Sequence, residues 1–138
     1  MEIRTLSMTG VREWAMSLPP SPVIRLLFGG DRLSCCDEGV AIEEEGVIVG
    51  IATIAPFGEE RSKQPTIVAM YILPAYRRRG YGKILLEAAI NRCLEREFSK
   101  IRVDVMSSHA MRIINSLPAY LHDVLDVHDQ GDVMDHFT

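Results

Sequence analysis

The chain has 138 residues, 47% hydrophobic and 25% charged. That is the balance of an ordinary soluble globular protein, and the length suffices for one domain, residues 1–138, with a core of its own. A net charge of −4 argues against broad attraction to nucleic acid or anionic membrane, and no apolar run approaches the roughly 18 residues that cross a bilayer. The first residues lack a signal-peptide hydrophobic region. The three cysteines, two of them adjacent as Cys35 and Cys36, form neither a disulfide framework nor a metal-ligand pattern. A reducing cytoplasm suits this composition.

Residues 1–6 alternate apolar and polar and predict a short strand. Val11, Trp14, Ala15 and Leu18 recur at helical spacing, with Thr9 as the expected cap and Pro19-Pro20 as the stop. Ser21-Pro22 opens a second helix, serine suiting the cap and proline the first turn, and Gly29-Gly30 ends it. Residues 31–38 are polar and read as a loop. Two strands, 39–44 and 47–54, join across Glu45-Gly46 as a hairpin. The second is almost wholly apolar, as a central strand covered on both faces should be.

Residues 58–65 form a charged loop, and 66–73 a further strand. A helix from about 82 to 97 carries Leu86, Ile90, Cys93 and Leu94 on one face. A strand over 100–106, a helix over 108–117 stopped by Pro118, and two short strands near 123–128 and 132–137 complete the chain. This order predicts an α/β (α+β) domain: a mixed, mostly antiparallel sheet of about six to seven strands with helices on both faces.

The most informative stretch runs from Ile72 to Lys83. An apolar strand passes through a Pro-containing turn into Arg77-Arg78-Arg79-Gly80-Tyr81-Gly82-Lys83, where a helix opens. The first N–H groups of a helix lack intrahelical acceptors and carry the positive end of its dipole. Glycines there let the main chain approach a ligand, so the turn is suited to phosphate oxygens. The absence of Gly-x-x-x-x-Gly-Lys-[Ser/Thr] argues against a nucleoside triphosphatase loop. Leu85 stands where a dinucleotide-binding loop would need its third glycine.

Arg77-Arg78-Arg79-Gly80-Tyr81-Gly82 resembles the [Gln/Arg]-x-x-Gly-x-[Gly/Ala] signature of the GNAT superfamily of N-acetyltransferases. Ile72 to Arg77 is similar to its strand exit and Leu85-Leu86 to its helix start. The likeness is sharpest over residues 66–90. It implies an acetyl-CoA site, with Arg77, Arg78, Arg79, Gly80, Tyr81, Gly82 and Lys83 on the phosphates. The backbone of Met70, Tyr71 and Ile72 would hold the pantetheine amides. It also implies transfer to an amine by direct attack in a ternary complex, with an oxyanion donor near Tyr71 or Ile72. No metal is implied.

Amines of lysine type have a pKa of ~10, so the site must remove a proton before attack. Asp104 is the first candidate base, because strand alternation sets it with Arg102 and Met106 opposite the valines. It also falls where GNAT enzymes acetylating ribosomal-protein N-termini carry a glutamate. An aspartate paired with arginine for structure is the competing reading. Glu59 and Glu60 could act through water, or be solvated loop residues, and the run Glu43 to Glu45 could line the acceptor site or be an exposed turn.

The sequence departs from the family at the acid. The tyrosine usual in the helix after Asp104 is missing, since Asn115 or Ser116 stands in its place and Ser108 or His109 at the family's asparagine. Tyr120, a few residues on, is the substitute candidate, or a packing residue with a wet tip. His122, His128 and His136 lie near aspartates but match no zinc spacing.

The reading is therefore an acetyl-CoA-dependent N-acetyltransferase acting on a small-molecule or peptide amine. A GNAT-fold module that binds CoA without turnover is the alternative. Three arginines in an acidic protein make a poor nucleic-acid patch. Monomer and homodimer both stay open.

Overall fold

The computed structural model describes residues 1–58 and 64–131. In chain order the elements are β1 (Glu2–Leu6), α1 (Met8–Ser17), α2 (Pro22–Phe28), α3 (Gly30–Ser34), β2 (Glu38–Glu44), β3 (Val47–Ala55), β4 (Thr66–Ile72), a 3₁₀ turn (Pro74–Tyr76), α4 (Tyr81–Glu95), β5 (Ile101–Val105), α5 (Ser108–Asn115), α6 (Ala119–His122) and β6 (Leu125–Asp129). The described strands form a six-stranded sheet in sequence order, β1 to β6. The pairs from β1 to β4 are antiparallel, whereas β4–β5 and β5–β6 are parallel. The expected mixed sheet is thus present. The seventh expected strand, residues 132–137, lies outside the described residues, as do Glu59, Glu60 and His136.

Local chemistry explains most boundaries. Ser21 caps α2, its hydroxyl accepting from the Ile24 N–H at 3.1 Å ahead of Pro22, as the sequence predicts. The cap of α1 is a correction: it is Ser7, whose Oγ accepts from Gly10 N, and Thr9 falls inside the first turn. A second correction concerns residues 31–38, expected as loop. Gly30–Ser34 is a single helical turn, anchored by buried Leu33, and so short that its one apolar anchor leaves no periodicity to read. In the same way α6 follows Pro118 where no helix was expected. The β2–β3 hairpin turns on Glu45 and Gly46, both at positive φ (50° and 80°), the geometry that matches the twist of the flanking strands.

The sheet is covered on both faces. On one side α4 and α5 pack Leu85, Leu86, Ala89, Ile90 and Ile114 against Ile42, Ile54 and the inward residues of β5, Ile101, Val103 and Val105. On the other, α1, α2 and α3 pack Val11, Ala15, Leu27, Phe28 and Leu33 against Ala41, Ile51 and Ala69. Two bidentate arginine–carboxylate pairs tie α4 to the start of β2: Arg92 to Glu38 (2.6 and 3.0 Å) and Arg96 to Asp37 (2.9 and 2.7 Å). Among the described residues no helix is long and apolar enough to cross a membrane.

Candidate active site

The sheet opens between β4 and β5. Only two parallel pairs join these strands, Thr66 with Arg102 and Ile67 with Val103. At the next residue β4 is irregular, because Thr53 pairs with Ala69 and Ile54 with Ile67, which leaves Val68 as an extra residue. Such a bulge bends its strand and ends pairing. Beyond it β4 continues for four residues with no partner in β5, so the two strands diverge as a fork that widens toward the carboxyl end of β4.

Which main-chain groups face the fork follows from register. Leu73 N donates to Val49 O of β3 at 2.8 Å. Groups on a strand alternate with period two, so Tyr71 and Ala69 also address β3, whereas Met70 and Ile72 turn their N–H and C=O toward the fork. Of the three residues expected to hold a pantetheine arm through the backbone, Met70 is therefore available through both groups and Ile72 through its N–H, the Ile72 carbonyl already accepting from Arg77 Nε. Tyr71 is not, because its amide belongs to the β3 ladder. Its side chain instead joins Trp14 and Phe28 in edge-to-face contacts on the α1–α2 side (centroids 6.2 and 6.4 Å).

The turn from β4 into α4 lies at the wide end of the fork, with Arg77 to Gly80 exposed. Arg78 (φ 65°) and Gly80 (φ 80°) adopt left-handed conformations on either side of Arg79, which does not. Alternation of this kind gathers successive N–H groups into an anion-binding concavity. Gly80 caps α4 without a side-chain bond, and the first backbone bond of the helix is Ile84 N to Gly80 O at 3.3 Å. The N–H groups of Tyr81, Gly82 and Lys83 thus stand at its positive end with no intrahelical acceptor. A Cβ on Gly80 would meet nothing within 4 Å, so the space before that turn is open to a ligand.

The arginines do different things. Arg77 folds back along the strand: its Nε donates to Ile72 O at 3.0 Å and its guanidinium lies 5.1 Å from the Tyr71 ring centre. Arg79 stacks over Tyr76 at 5.2 Å. Tyr81 reaches across to β2, its hydroxyl donating to Glu44 Oε1 at 2.6 Å, which holds the phenol above its ordinary pKa. Gly82 faces α5, where a Cβ would lie 2.9 Å from Ile113 Cδ1. Its smallness serves the approach of α5 to α4.

Asp104 lies on the α1–α2 side of β5, half-buried. Its Oδ1 accepts from Arg102 Nε (3.1 Å), Arg102 Nη2 (3.0 Å) and Gln130 Nε2 (3.3 Å). All three contacts fall on one oxygen, and among the described residues no hydrogen bond reaches Oδ2. Tyr120 is a different matter. The β5–α5–α6–β6 crossover returns the chain to the start of β5, where Ile101 N bonds Val124 O at 2.9 Å. Tyr120, on α6 and 66% exposed, therefore sits at the closed end of the β4–β5 pair, away from the fork. The structure does not bring it to Asp104 or to Met70. At the positions aligned with the family's acid, Asn115 and Ser116 are both exposed.

Burial pushes the thiols of Cys36 and Cys93 up to about 12, so neither is a nucleophile near neutrality. His128 pairs with Asp126 of its own strand at 3.0 Å, and among the described residues no three potential metal ligands cluster. Sequence reasoning missed the Val68 bulge, and with it Arg32, whose Nη2 donates to Val68 O at 2.6 Å. A bulge leaves no compositional trace, and Arg32 lies in a segment read as loop.

The sheet is thus mixed and forked beside a bulge, with a helix mouth at its open end. The Acetyltransferase (GNAT) family model matches residues 9–114, and the chain belongs to that family. Among solved structures it is similar to a ribosomal-protein-alanine N-acetyltransferase from Brucella melitensis biovar Abortus 2308. That match has a TM-score of 0.61 at 16% identity, over 86% of this chain and 92% of that one. It is also similar to the aminoglycoside N-acetyltransferase AAC(6')-Iy in complex with CoA (TM-score 0.58, 19% identity, 85% and 90% covered). A predicted acetyltransferase with acetyl-CoA from Clostridium acetobutylicum is a third (TM-score 0.56, 19% identity, 83% and 86% covered). At these identities the likeness is one of fold. No curated protein matches the chain in sequence.

Proposed function

We propose that the protein, acting as one domain, transfers an acetyl group from acetyl-CoA to a primary amine by direct attack in a ternary complex. The observation that carries this reading is the fork: β4 beyond Val68 offers Met70 and Ile72 to a ligand rather than to β5. The two residues are ~7 Å apart along the strand, and a pantetheine arm carries two amides to meet them. The exposed turn with its left-handed Arg78 and Gly80 suits the diphosphate, with Arg78, Arg79 and Lys83 as its cationic surround. The residues present therefore fit acetyl-CoA.

In this reading the acceptor enters from the α1–α2 side, where Asp104 Oδ2 takes the amine proton directly or through one water. The freed lone pair attacks the thioester carbon while a main-chain N–H of Met70 or Ile72 stabilises the oxyanion. The carbon–sulfur bond then breaks, CoA leaves as a thiolate, and the surplus proton on the newly acylated nitrogen passes to water or to that thiolate. With an ordinary thiol pKa of ~8.5, that thiolate needs no dedicated acid, which is consistent with the missing tyrosine. Similar structures include enzymes named for ribosomal-protein alanine and for aminoglycosides, so peptide N-termini and aminoglycosides head the acceptors to try.

The test is calorimetric titration with acetyl-CoA followed by transfer of labelled acetyl to a panel of amines. Micromolar binding with transfer to at least one amine supports the reading, and no binding overturns it. Tight binding with no transfer anywhere would favour the second reading, a CoA-binding module without turnover. Its specific support is Asp104, whose Oδ1 already carries three donors, together with the lack of an acid on α5.

A further inference from the structure

The fork has an apex, and a side chain occupies it. Val68 is the extra residue of β4, directly after the last pair with β5, and a bulged carbonyl at such a point has no place in either ladder. Buried carbonyls left without a donor are costly. Here the donor is Arg32, whose Nη2 lies 2.6 Å from Val68 O in a half-buried setting. Arg32 comes from the single turn α3, which Leu33, 4% exposed, anchors in the core over β4. The thiols of Cys35 and Cys36 donate back to Arg32 O at 3.2 and 3.3 Å, which fixes the end of that turn.

We propose that Arg32 is a positioning residue that holds the apex of the β4–β5 fork open for the acyl end of acetyl-CoA. By supplying Val68 O with a donor, it replaces the strand partner that β5 would otherwise be, and it keeps the bulge that turns Met70 and Ile72 into the fork. Its reach is local. Val68 and Ile72 are four residues apart, ~13 Å along the strand, so the diphosphate turn lies beyond its influence. This inference rests on the acetyl-CoA reading above, and it adds a residue outside the signature loop that governs only one end of the ligand.

The experiment compares Arg32→Met, Arg32→Gln and the parent for binding of two probes, acetyl-CoA and adenosine 3′,5′-bisphosphate, which has the nucleotide end and no pantetheine arm. Arg32→Met removes the donor while keeping the aliphatic stem, and Arg32→Gln restores a neutral donor. The expected result is at least tenfold weaker acetyl-CoA binding in Arg32→Met, unchanged bisphosphate binding, and partial recovery in Arg32→Gln. Equal acetyl-CoA affinity in Arg32→Met and parent overturns the inference. So does parallel loss of both probes, which would make Arg32 a general structural residue. A parent that binds no acetyl-CoA sinks the functional reading itself, a distinct outcome.

Discussion

Tyr81, the first residue of α4, donates its hydroxyl to Glu44 at the end of β2 across 2.6 Å. The bond pins the mouth of the helix to the hairpin edge, and it leaves a pH signature. Pairing with the carboxylate raises the phenol above its ordinary value. A group whose folded pKa is raised stabilises the protein fully below its unfolded value, ~10 for tyrosine, and loses that contribution as pH climbs through the folded value. Tyr81→Phe is therefore expected to be less stable than the parent near neutrality and to converge with it at strongly alkaline pH. Urea unfolding midpoints from pH 7 to 11 measure this.

Gly82 separates packing from ligand binding. Its Cβ position lies 2.9 Å from Ile113 Cδ1, so Gly82→Ala crowds α5 before it touches any phosphate. Adding Ile113→Val removes that terminal methyl and is expected to restore the melting temperature. If residue 82 must also admit a ligand, acetyl-CoA affinity stays reduced in the double variant. Full recovery of affinity would make the glycine a packing requirement alone.

Asp104→Asn keeps an acceptor for Arg102 and Gln130 but removes the base. The transfer rate is expected to fall about 100-fold, the lower range for general base catalysis, with acetyl-CoA affinity unchanged within about twofold. Steady-state kinetics beside calorimetry reads both quantities. A rate that does not move would leave Asp104 as the ion-pair partner of Arg102.

Arg92 and Glu38 form a bidentate bridge from α4 to β2, with Arg92 32% and Glu38 19% exposed. Partial solvation discounts the pair, so Arg92→Met is expected to cost about 1–2 kcal/mol. The denaturant midpoint should fall with an unchanged slope, because the surface exposed on unfolding stays the same.

Strand pattern was the legible part of this fold. β2, β3, β4 and β5 lie within a residue or so of their sequence boundaries, because each is bounded by turn residues and carries a clear apolar register. The turn from β4 into α4 was legible for a different reason: glycine spacing after a strand is itself a sequence signal. Elements without periodicity were not. α3 is one turn with one anchor, and α6 hides behind a proline. Tyr120 was placed by distance along the chain, whereas the crossover carries it to the far end of β5. Tyr71 shows the same limit at finer scale, since only the Leu73–Val49 bond reveals which edge of β4 its amide faces.

The fork also marks a boundary in time. On one side β2 and β3 join through Glu45 and Gly46, and β3 and β4 through residues 56–65, so these strands meet through contacts nearer in sequence. On the other, β5 reaches β4 only after the whole of α4 has been laid down, and then holds it by two residue pairs. Sequence-distant contacts form late because loop closure precedes their reward. The proposed ligand groove is thus the seam between a sequence-local meander and a sequence-distant wing, and a molecule bound there would act as a clasp that slows the wing's release.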